Sequence, residues 1–272
     1  MKNNIKRLFI LIIVFILVSL HNICLASVVQ RPNKPELLSV NLNNNVVTLK
    51  WQQVQNVDGY KIYMSTSKNG NYTKIKTIQS GKRTYYNRDG FSEDKEYYFK
   101  VKAFITNKEE RVLSQACNIK SVGGVIAKIS LTSTSNDFDR NINLAVACKK
   151  VDQTILNKGQ NFRWSKVVGN PTILQGYRKG IAYANGNNVL AVGGGICQVS
   201  TALYQCAKQA NMKIIERHEH GKDITYIEQG EDATVEYGRF DLAFKNKTGY
   251  KIKIRSYSDK NTVICQFYKI GN

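Results

Sequence analysis

The sequence predicts an export signal followed by two folded domains, an all-β sandwich and an α+β domain. Three observations predict this order: a short apolar run at the N-terminus, β-rich segments separated by turn residues up to about residue 122, and an amphipathic helix between further strands beyond it. In the second domain we expect the helix, which starts at a cysteine, to pack on an antiparallel sheet.

The composition is that of a globular protein with a strongly basic surface. Of the 272 residues, 42% are hydrophobic and 10% aromatic, which argues against a disordered chain and suffices for one large or two ordinary cores. Lys and Arg number 40 against 20 acidic residues, a formal net charge of +20. Such a surface attracts nucleic acid, anionic lipid or anionic wall polymer, and the compartment decides between them.

The N-terminus predicts export. Lys2, Lys6 and Arg7 precede the apolar run 8–20, and the small residues Cys24 and Ala26 suit a cleavage site after Ala26. This is the layout of a secretory signal peptide spanning residues 1–26. An uncleaved membrane anchor is the alternative, but polar residues interrupt the run well short of the roughly 20 that a span needs. Outside the cell a basic protein meets anionic wall polymer and not nucleic acid, so we expect the former as partner. Membrane attachment is expected only through an uncleaved signal.

The cysteines and histidines of the mature chain are few. Removal of the signal leaves an odd number of cysteines, so at least one thiol is unpaired within a monomer: Cys117, Cys148, Cys197, Cys206 and Cys265. Their spacing forms no paired CxxC motifs, which argues against a structural zinc site. His218 and His220 are the two mature histidines.

The first domain is predicted over residues 33–122. Turn residues separate four clear strand segments at 46–54, 59–67, 72–78 and 96–106, which suggests a small sandwich. Pro35, Trp51 and the segments DGYKIYMS, NGNYTKI and KEYYFKVKAF resemble a fibronectin type III domain over about 85 residues. The resemblance implies Trp51 as the core indole and Tyr97 or Tyr98 as the corner tyrosine. Such modules are spacers or adaptors, and no catalytic constellation stands in this half.

The second domain is predicted over residues 123–272. The apolar stripe in RNINLAVACKKV indicates a helix over 140–151, and 154–169 reads as two short strands around the turn 157–159. The remaining strand segments form a predicted antiparallel meander, with strands at 224–227, 233–238, 241–246, 250–257 and 262–269.

The most informative segment is GGGICQVSTALYQCAKQAN at 193–211. Apolar residues from Val199 to Ala210 recur with helical spacing, and Asn211 is expected to end the helix. Cys206 falls on the apolar stripe and is read as a buried core residue. Cys197 lies in the first turn, where the helix dipole and free N–H groups lower a thiol pKa and can hold an oxyanion.

The partners of this thiol are sought in the segment that follows. KIIERHEH at 213–220 is predicted to be a strand, so His218 and His220 would share one face, next to the helix that carries Cys197. Asp232 is the predicted third member; Asp241 and Glu236 are less favoured. The alternative is that His218 and His220 are exposed strand residues without a catalytic role. A zinc site of His218, His220, Asp232 and Cys197 also competes, although no recognisable zinc motif is present.

Residues 128–268 resemble a VanW domain. The resemblance rests on RNINLAVA, QGYRKG, GGGICQVSTALY, ERHEH and ITYIEQGEDATVEYGRFDLAFKN. The family is bacterial, its name comes from an accessory component of some vancomycin-resistance clusters, and some members act as L,D-transpeptidases through a cysteine. The resemblance implies Cys197 as that cysteine and matches Arg217, His218 and His220 to the family's Arg-His and second His. In better-known L,D-transpeptidases the His precedes the Cys, so their roles cannot be transferred.

The residues predict an exported, cysteine-dependent acyltransferase, and the resemblance to the VanW family implies that it is of the L,D-transpeptidase type. It would form 3–3 cross-links between peptidoglycan stem peptides at the outer face or in the wall of a Gram-positive bacterium. Cys197, His218 or His220, and Asp232 are the expected catalytic group, and the expected substrate contacts are Gly193, Gly194, Gly195, Gln198 and Arg217. No cofactor or metal is expected. The alternative is a non-catalytic wall-binding or glycopeptide-resistance accessory protein.

Overall fold

The computed structural model describes residues 30–107, 110–184, 187–221 and 224–272. The predicted signal peptide, residues 1–26, lies outside the described residues. Within those ranges no helix is both long and apolar enough to cross a membrane.

The first domain is a β-sandwich with eight strands among the described residues. One sheet contains β1, β2 and β5; the other contains β4, β3, β6 and β7, with β8 also paired to β6. The strands are β1 Leu37–Asn43, β2 Val46–Trp51, β3 Gly59–Ser65, β4 Thr73–Ile78, β5 Tyr85–Arg88, β6 Tyr97–Asn107, β7 Glu110–Leu113 and β8 Lys120–Val122.

Aromatic residues occupy the centre and one corner of the sandwich. Trp51 is 2% exposed and meets Tyr60 edge-to-face at 5.2 Å between ring centroids. The hydroxyl of Tyr97 accepts a hydrogen bond from the backbone N–H of Ser92 at 3.2 Å. This upstream backbone contact is that of a corner tyrosine, so Tyr97 and not Tyr98 takes that place.

In the described part of the second domain, three helices pack against antiparallel strands. In its main sheet β10 pairs with β16, β16 with β17 and β17 with β9; β11, β15 and β14 form a small sheet, and β12 and β13 a hairpin. The strands are β9 Val125–Thr132, β10 Ile155–Leu156, β11 Asn161–Arg163, β12 Lys179–Ala184, β13 Asn187–Val192, β14 Lys213–Glu216, β15 Ala243–Lys245, β16 Lys251–Asp259 and β17 Thr262–Gly271. The helices are α1 Phe138–Val151, α2 Trp164–Val167 and α3 Cys197–Gln209, with a 3₁₀ turn at Ile173–Gln175.

The two longer helices cover the main sheet. Helix α1 packs against β16, and α3 packs against β9 and β17. The predicted helix at 140–151 is confirmed and begins slightly earlier, because the Asp137 side chain caps it by accepting from the Arg140 N–H at 2.7 Å. The cysteine-started helix α3 therefore lies on an antiparallel sheet as expected.

The predicted meander is wrong in its first half. Residues 224–227 and 233–238 form turns and loops, with bridges at His218–Thr234 and Glu236–Phe240 in place of strands. Here local turns and side chains of α3 satisfy the backbone: Ser200 donates to the Ala233 carbonyl at 2.6 Å. The two strands predicted in 154–169 exist but do not pair with each other, because β10 joins β16 and β11 joins β15.

Ionic and backbone contacts join the two domains, whose hydrophobic cores are separate. Strand β1 pairs with the end of β17, at Asn41 and Gly271. From β16, the Lys253 ammonium group contacts the Glu93 carboxylate. The Lys269 ammonium of β17 lies 2.6 Å from the Glu96 carboxylate. The predicted boundary at 122/123 falls between β8 and β9.

Glu93→Gln is expected to lower the free energy of unfolding by about 3 kcal/mol, because it leaves the buried Lys253 ammonium without its counter-charge. The side chains of Lys253 and Glu93 are only 9% and 13% exposed. Urea unfolding checks this, with Glu36→Gln, an exposed carboxylate, as the control that changes stability by less than about 0.5 kcal/mol. Equal midpoints for the two variants would contradict a structural role for this ion pair.

Candidate active site

The glycine segment before α3 packs directly against strand β12. Gly195 has a φ of +100°, a backbone conformation that favours glycine. A side chain at Gly194 would put its Cβ 2.3 Å from the Gly180 carbonyl oxygen, so the backbones meet directly. At the other end of α3, Asn211 adopts a φ of +53° and ends the helix as predicted.

Cys197, His220 and Asp232 lie together at the start of α3. The half-buried thiol of Cys197 lines the same cavity as the imidazole of His220 and hydrogen-bonds to Oγ1 of Thr234 at 3.5 Å and to the Val235 carbonyl at 3.6 Å. Nδ1 of His220 lies 2.5 Å from Oδ2 of Asp232, which also accepts from the His220 N–H at 2.8 Å. Because Nδ1 is engaged by the carboxylate, Nε2 is the nitrogen left for the thiol.

The electrostatics of this group favour a thiolate–imidazolium pair. Burial opposes ionisation of Cys197, but the hydrogen bond and charge of His220, with smaller contributions from Val235 and Thr234, take its pKa below the ordinary value. Burial likewise opposes the charged form of His220, yet Cys197 and Asp232 raise its pKa to about 9. Between these two pKa values the nucleophile and a protonated acid coexist.

Asp232 is buried and held by Arg217. Asp232 is 2% exposed, and Nε of Arg217 donates to its backbone carbonyl at 2.6 Å while Nη2 lies 3.4 Å from its Oδ1. Nη2 also donates to the Gly230 carbonyl at 2.7 Å. The sequence predicts Arg217 as a substrate contact; in the structure its guanidinium is occupied in fixing the Asp232 loop.

Gln198, the other predicted side-chain contact to substrate, has internal partners on both ends of its amide. It is fully buried, and its amide nitrogen donates to the carbonyls of Leu131 at 2.8 Å and Asn261 at 2.9 Å. Its Oε1 accepts from Nη2 of Arg140 at 2.6 Å. Gln198 therefore anchors α3 and Arg140 from beneath the site.

His218 lies apart from the thiol group. Strand β14 ends at Glu216, so the strand spacing that would place both histidines on one face does not extend to them. Nε2 of His218 lies 3.3 Å from Glu216, and its ring packs on Phe240 at 4.7 Å. The four candidate zinc ligands do not converge, and within the described ranges no three His, Cys, Asp or Glu side chains are arranged so that they could hold a metal ion.

Neither alternative third residue contacts His220. The Asp241 carboxylate accepts from Ser165 Oγ at 2.7 Å and lies 3.2 Å from Arg163. Glu236 is exposed and pairs with Arg239 at 3.4 Å. Asp232 is thus the carboxylate that the structure places on the imidazole.

A cavity of about 950 Å³ opens beside Cys197. Gly193, Gly194 and Gly195 line it together with Cys197 and His220. Other lining residues make an apolar wall with a few polar groups, among them Trp164, Ile196, Tyr226, Val235, Phe240 and Arg140. Among the described residues, the backbone N–H groups of Gly195 and Cys197 have no acceptor and are available to a bound oxyanion.

Arg140 is the cavity residue that sequence reasoning missed. It shares the buried face of α1 with Asn143, Leu144 and Ala147. Two polar residues on the apolar stripe of a helix were the available indication, because a buried Arg needs a specific partner.

The fold and site define a two-domain protein, with a β-sandwich ahead of an α+β domain that holds a Cys–His–Asp group in a cavity. Residues 139–268 match the family described as VanW like protein, and residues 33–116 match the fibronectin type III domain. The chain is a VanW-family protein with an N-terminal fibronectin type III domain.

The two curated relatives each match just under half of the chain. Uncharacterized protein YoaR of Bacillus subtilis is 31% identical over 134 residues, 49% of this chain and 44% of that protein. The Vancomycin B-type resistance protein VanW of Enterococcus faecalis is 28% identical over 144 residues, 48% of this chain and 52% of that protein. The chain thus spans about half the length of the curated relatives it matches. A crystal structure of a Fn3-like protein from Clostridium thermocellum matches 34% of this chain and 92% of its own at 26% identity, with a TM-score of 0.29.

The two cysteines of α3 are expected to differ sharply in reactivity. Cys197 is half-buried with its pKa below the ordinary value, whereas Cys206 is fully buried and donates to the Cys265 carbonyl at 3.2 Å. At about pH 6, iodoacetamide followed by peptide mass mapping should label Cys197 at least about tenfold faster than Cys206. Equal rates would show that the thiol at the helix start is not activated.

Proposed function

We propose that this protein is an exported cell-wall acyltransferase of the L,D-transpeptidase type, which forms 3–3 cross-links between peptidoglycan stem peptides. The observation that carries the proposal is the Cys197–His220–Asp232 group at a helix start, in a cavity whose size suits a peptide. Similarity to a relative named for vancomycin resistance supports a cell-wall role.

The first half-reaction forms a thioester. The Cys197 thiolate attacks the carbonyl carbon of an L,D-peptide bond, and the N–H groups of Gly195 and Cys197 stabilise the oxyanion. His220 gives its Nε2 proton to the departing amine, so the leaving D-residue is released neutral at its new amino group. Asp232 keeps the imidazole oriented by holding Nδ1.

The second half-reaction transfers the acyl group. The amine of an acceptor stem peptide loses a proton to His220 and attacks the thioester carbonyl, which forms the new amide and restores the thiolate–imidazolium pair. Water in place of the amine gives hydrolysis. One histidine therefore serves as acid in the first step and as base in the second.

Location and charge fit this substrate. The signal-peptide layout of residues 1–26 would deliver the protein to the wall, and the net charge of about +17 that remains once Lys2, Lys6 and Arg7 are removed attracts anionic wall polymer. The sandwich domain, held to the catalytic domain by the Glu93 and Glu96 ion pairs, would act as a spacer or adaptor.

Muropeptide analysis tests the proposal. Purified wild-type protein incubated with disaccharide-tetrapeptides should produce 3–3 linked dimers, and Cys197→Ala should produce none. Cys206→Ala, which removes a thiol from the same helix, is the matched control and should retain cross-linking if it folds by circular dichroism. Dimers from the Cys197→Ala protein, or none from the wild type, would sink the enzyme proposal and leave an accessory wall-binding role.

A further inference from the structure

A buried cation beside the thiol has one donor without a partner among the described residues. Arg140 is 6% exposed and lines the cavity. Its Nη2 donates to Gln198, but its Nη1 is buried without a hydrogen-bond partner among the described residues. The nearby Asp137 carboxylate is engaged in capping α1 through the Arg140 backbone N–H.

Several contacts fix this guanidinium in place. Gln198 is itself held by two backbone carbonyls, so its Oε1 presents a rigid acceptor to Nη2. The glycine segment closes over the side-chain stem: a Cβ on Gly195 would lie 2.6 Å from Cγ of Arg140. Arg140 is thus pinned between α1 and the start of α3, the same helix start that carries Cys197.

Such an arrangement is costly unless a ligand completes it. An unpaired buried donor destabilises the fold, and does so more strongly when the group is charged. Burial lowers the pKa of Arg140, while the charges of Tyr226, Asp137 and Cys197 act to raise it. The two described carboxylates that line the cavity do not fill the gap, because Glu219 contacts Arg217 and Glu236 pairs with Arg239.

We propose that Arg140 binds a carboxylate of the substrate next to the bond that Cys197 attacks. A planar guanidinium can donate two parallel hydrogen bonds to the two oxygens of a carboxylate, and a carboxylate is the anionic group that a peptide carries. This proposal rests on the proposed function. It implies that the acyl donor is a stem peptide with a carboxylate close to the scissile bond. Two groups share that chemistry: the C-terminal carboxylate of the departing residue, and a side-chain carboxylate of the residue before it.

Binding to the full chain carrying Cys197→Ala separates recognition from turnover. The probes are diacetyl-L-lysyl-D-alanine, which has only a terminal carboxylate, and its C-terminal amide. Calorimetry should show the acid binding at least about 30-fold more tightly than the amide. Adding Arg140→Gln should abolish this preference, whereas adding Arg239→Gln, which removes an exposed cation at the same cavity, should change it by less than about threefold.

Two further arms complete the test. Arg140→Lys, which keeps charge without the fork, should weaken acid binding but leave amide binding unchanged, and covers the case in which Arg140→Gln does not fold. The same peptides with diaminopimelate in place of lysine test the side-chain carboxylate. If the diaminopimelate amide binds more tightly than the lysine amide, and does so only when Arg140 is present, the bound group is the side-chain carboxylate.

The proposal is overturned if neither peptide series shows a carboxylate preference that depends on Arg140, including the case of no binding at all. A role as counter-charge for the thiolate predicts that outcome, together with slower iodoacetamide labelling of Cys197 in Arg140→Gln. Arg140-dependent binding without cross-linking of muropeptides would refute the transpeptidase function alone. Cross-linking without carboxylate preference would refute the Arg140 site alone.

Discussion

His220→Ala is expected to lower kcat/KM for acyl transfer by about 10³-fold, because it removes both the acid that protonates the leaving amine and the charge that stabilises the thiolate. His218→Ala is the matched control. It lies two residues away, bonded to Glu216 and packed on Phe240, and should change kcat/KM by less than about threefold. Initial rates on disaccharide-tetrapeptides measure both variants.

The pH dependence gives the same prediction a second readout. In the wild type, kcat/KM should rise as Cys197 ionises, at a pH below the ordinary thiol pKa, and fall above about pH 9 as His220 loses the proton that the leaving amine needs. In His220→Ala the hydrogen bond and positive charge are gone, so alkylation of Cys197 should shift to higher pH. An unshifted alkylation profile would exclude His220 as the partner of the thiol.

Sequence periodicity was sufficient to place the thiol but not to choose its partner. The glycine segment, the apolar stripe and Asn211 together predicted the start and end of α3, and Cys197 lies at that start. The choice between His218 and His220 depended on where the strand ends. Strand β14 ends at Glu216 because its pairing with β15 ends there. The two strands are about 30 residues apart in sequence, so the spacing of neighbouring residues carries no information about this pairing.

Side-chain direction is what sequence position does not give for the predicted substrate contacts. Gln198 and Arg217 flank the reactive residues in sequence, yet Gln198 points into the core and Arg217 spans the Asp232 loop. Arg140 was missed for the converse reason. It precedes Gln198 by 58 residues, and their contact exists only because α1 and α3 pack on the same sheet.

Asp232→Asn is expected to lower kcat/KM by about 10²–10⁴-fold while leaving KM nearly unchanged. Oδ2 of Asp232 accepts from both the backbone N–H and Nδ1 of His220, so a neutral amide there removes the charge that favours imidazolium. If the amide nitrogen faces Nδ1, the ring takes the opposite tautomer and presents an N–H to an already protonated thiol. In either orientation the thiolate–imidazolium pair is lost.

Asp241→Asn is the control for this prediction. Asp241 is also partly buried and hydrogen-bonded, to Ser165 and Arg163, but does not contact His220. It should share any modest loss of stability without the loss in rate. Because Asp232 acts through His220, the decisive readout is the alkylation pH of Cys197, which should rise in Asp232→Asn and stay fixed in Asp241→Asn. Equal profiles in the two variants would reduce Asp232 to a structural residue of its loop.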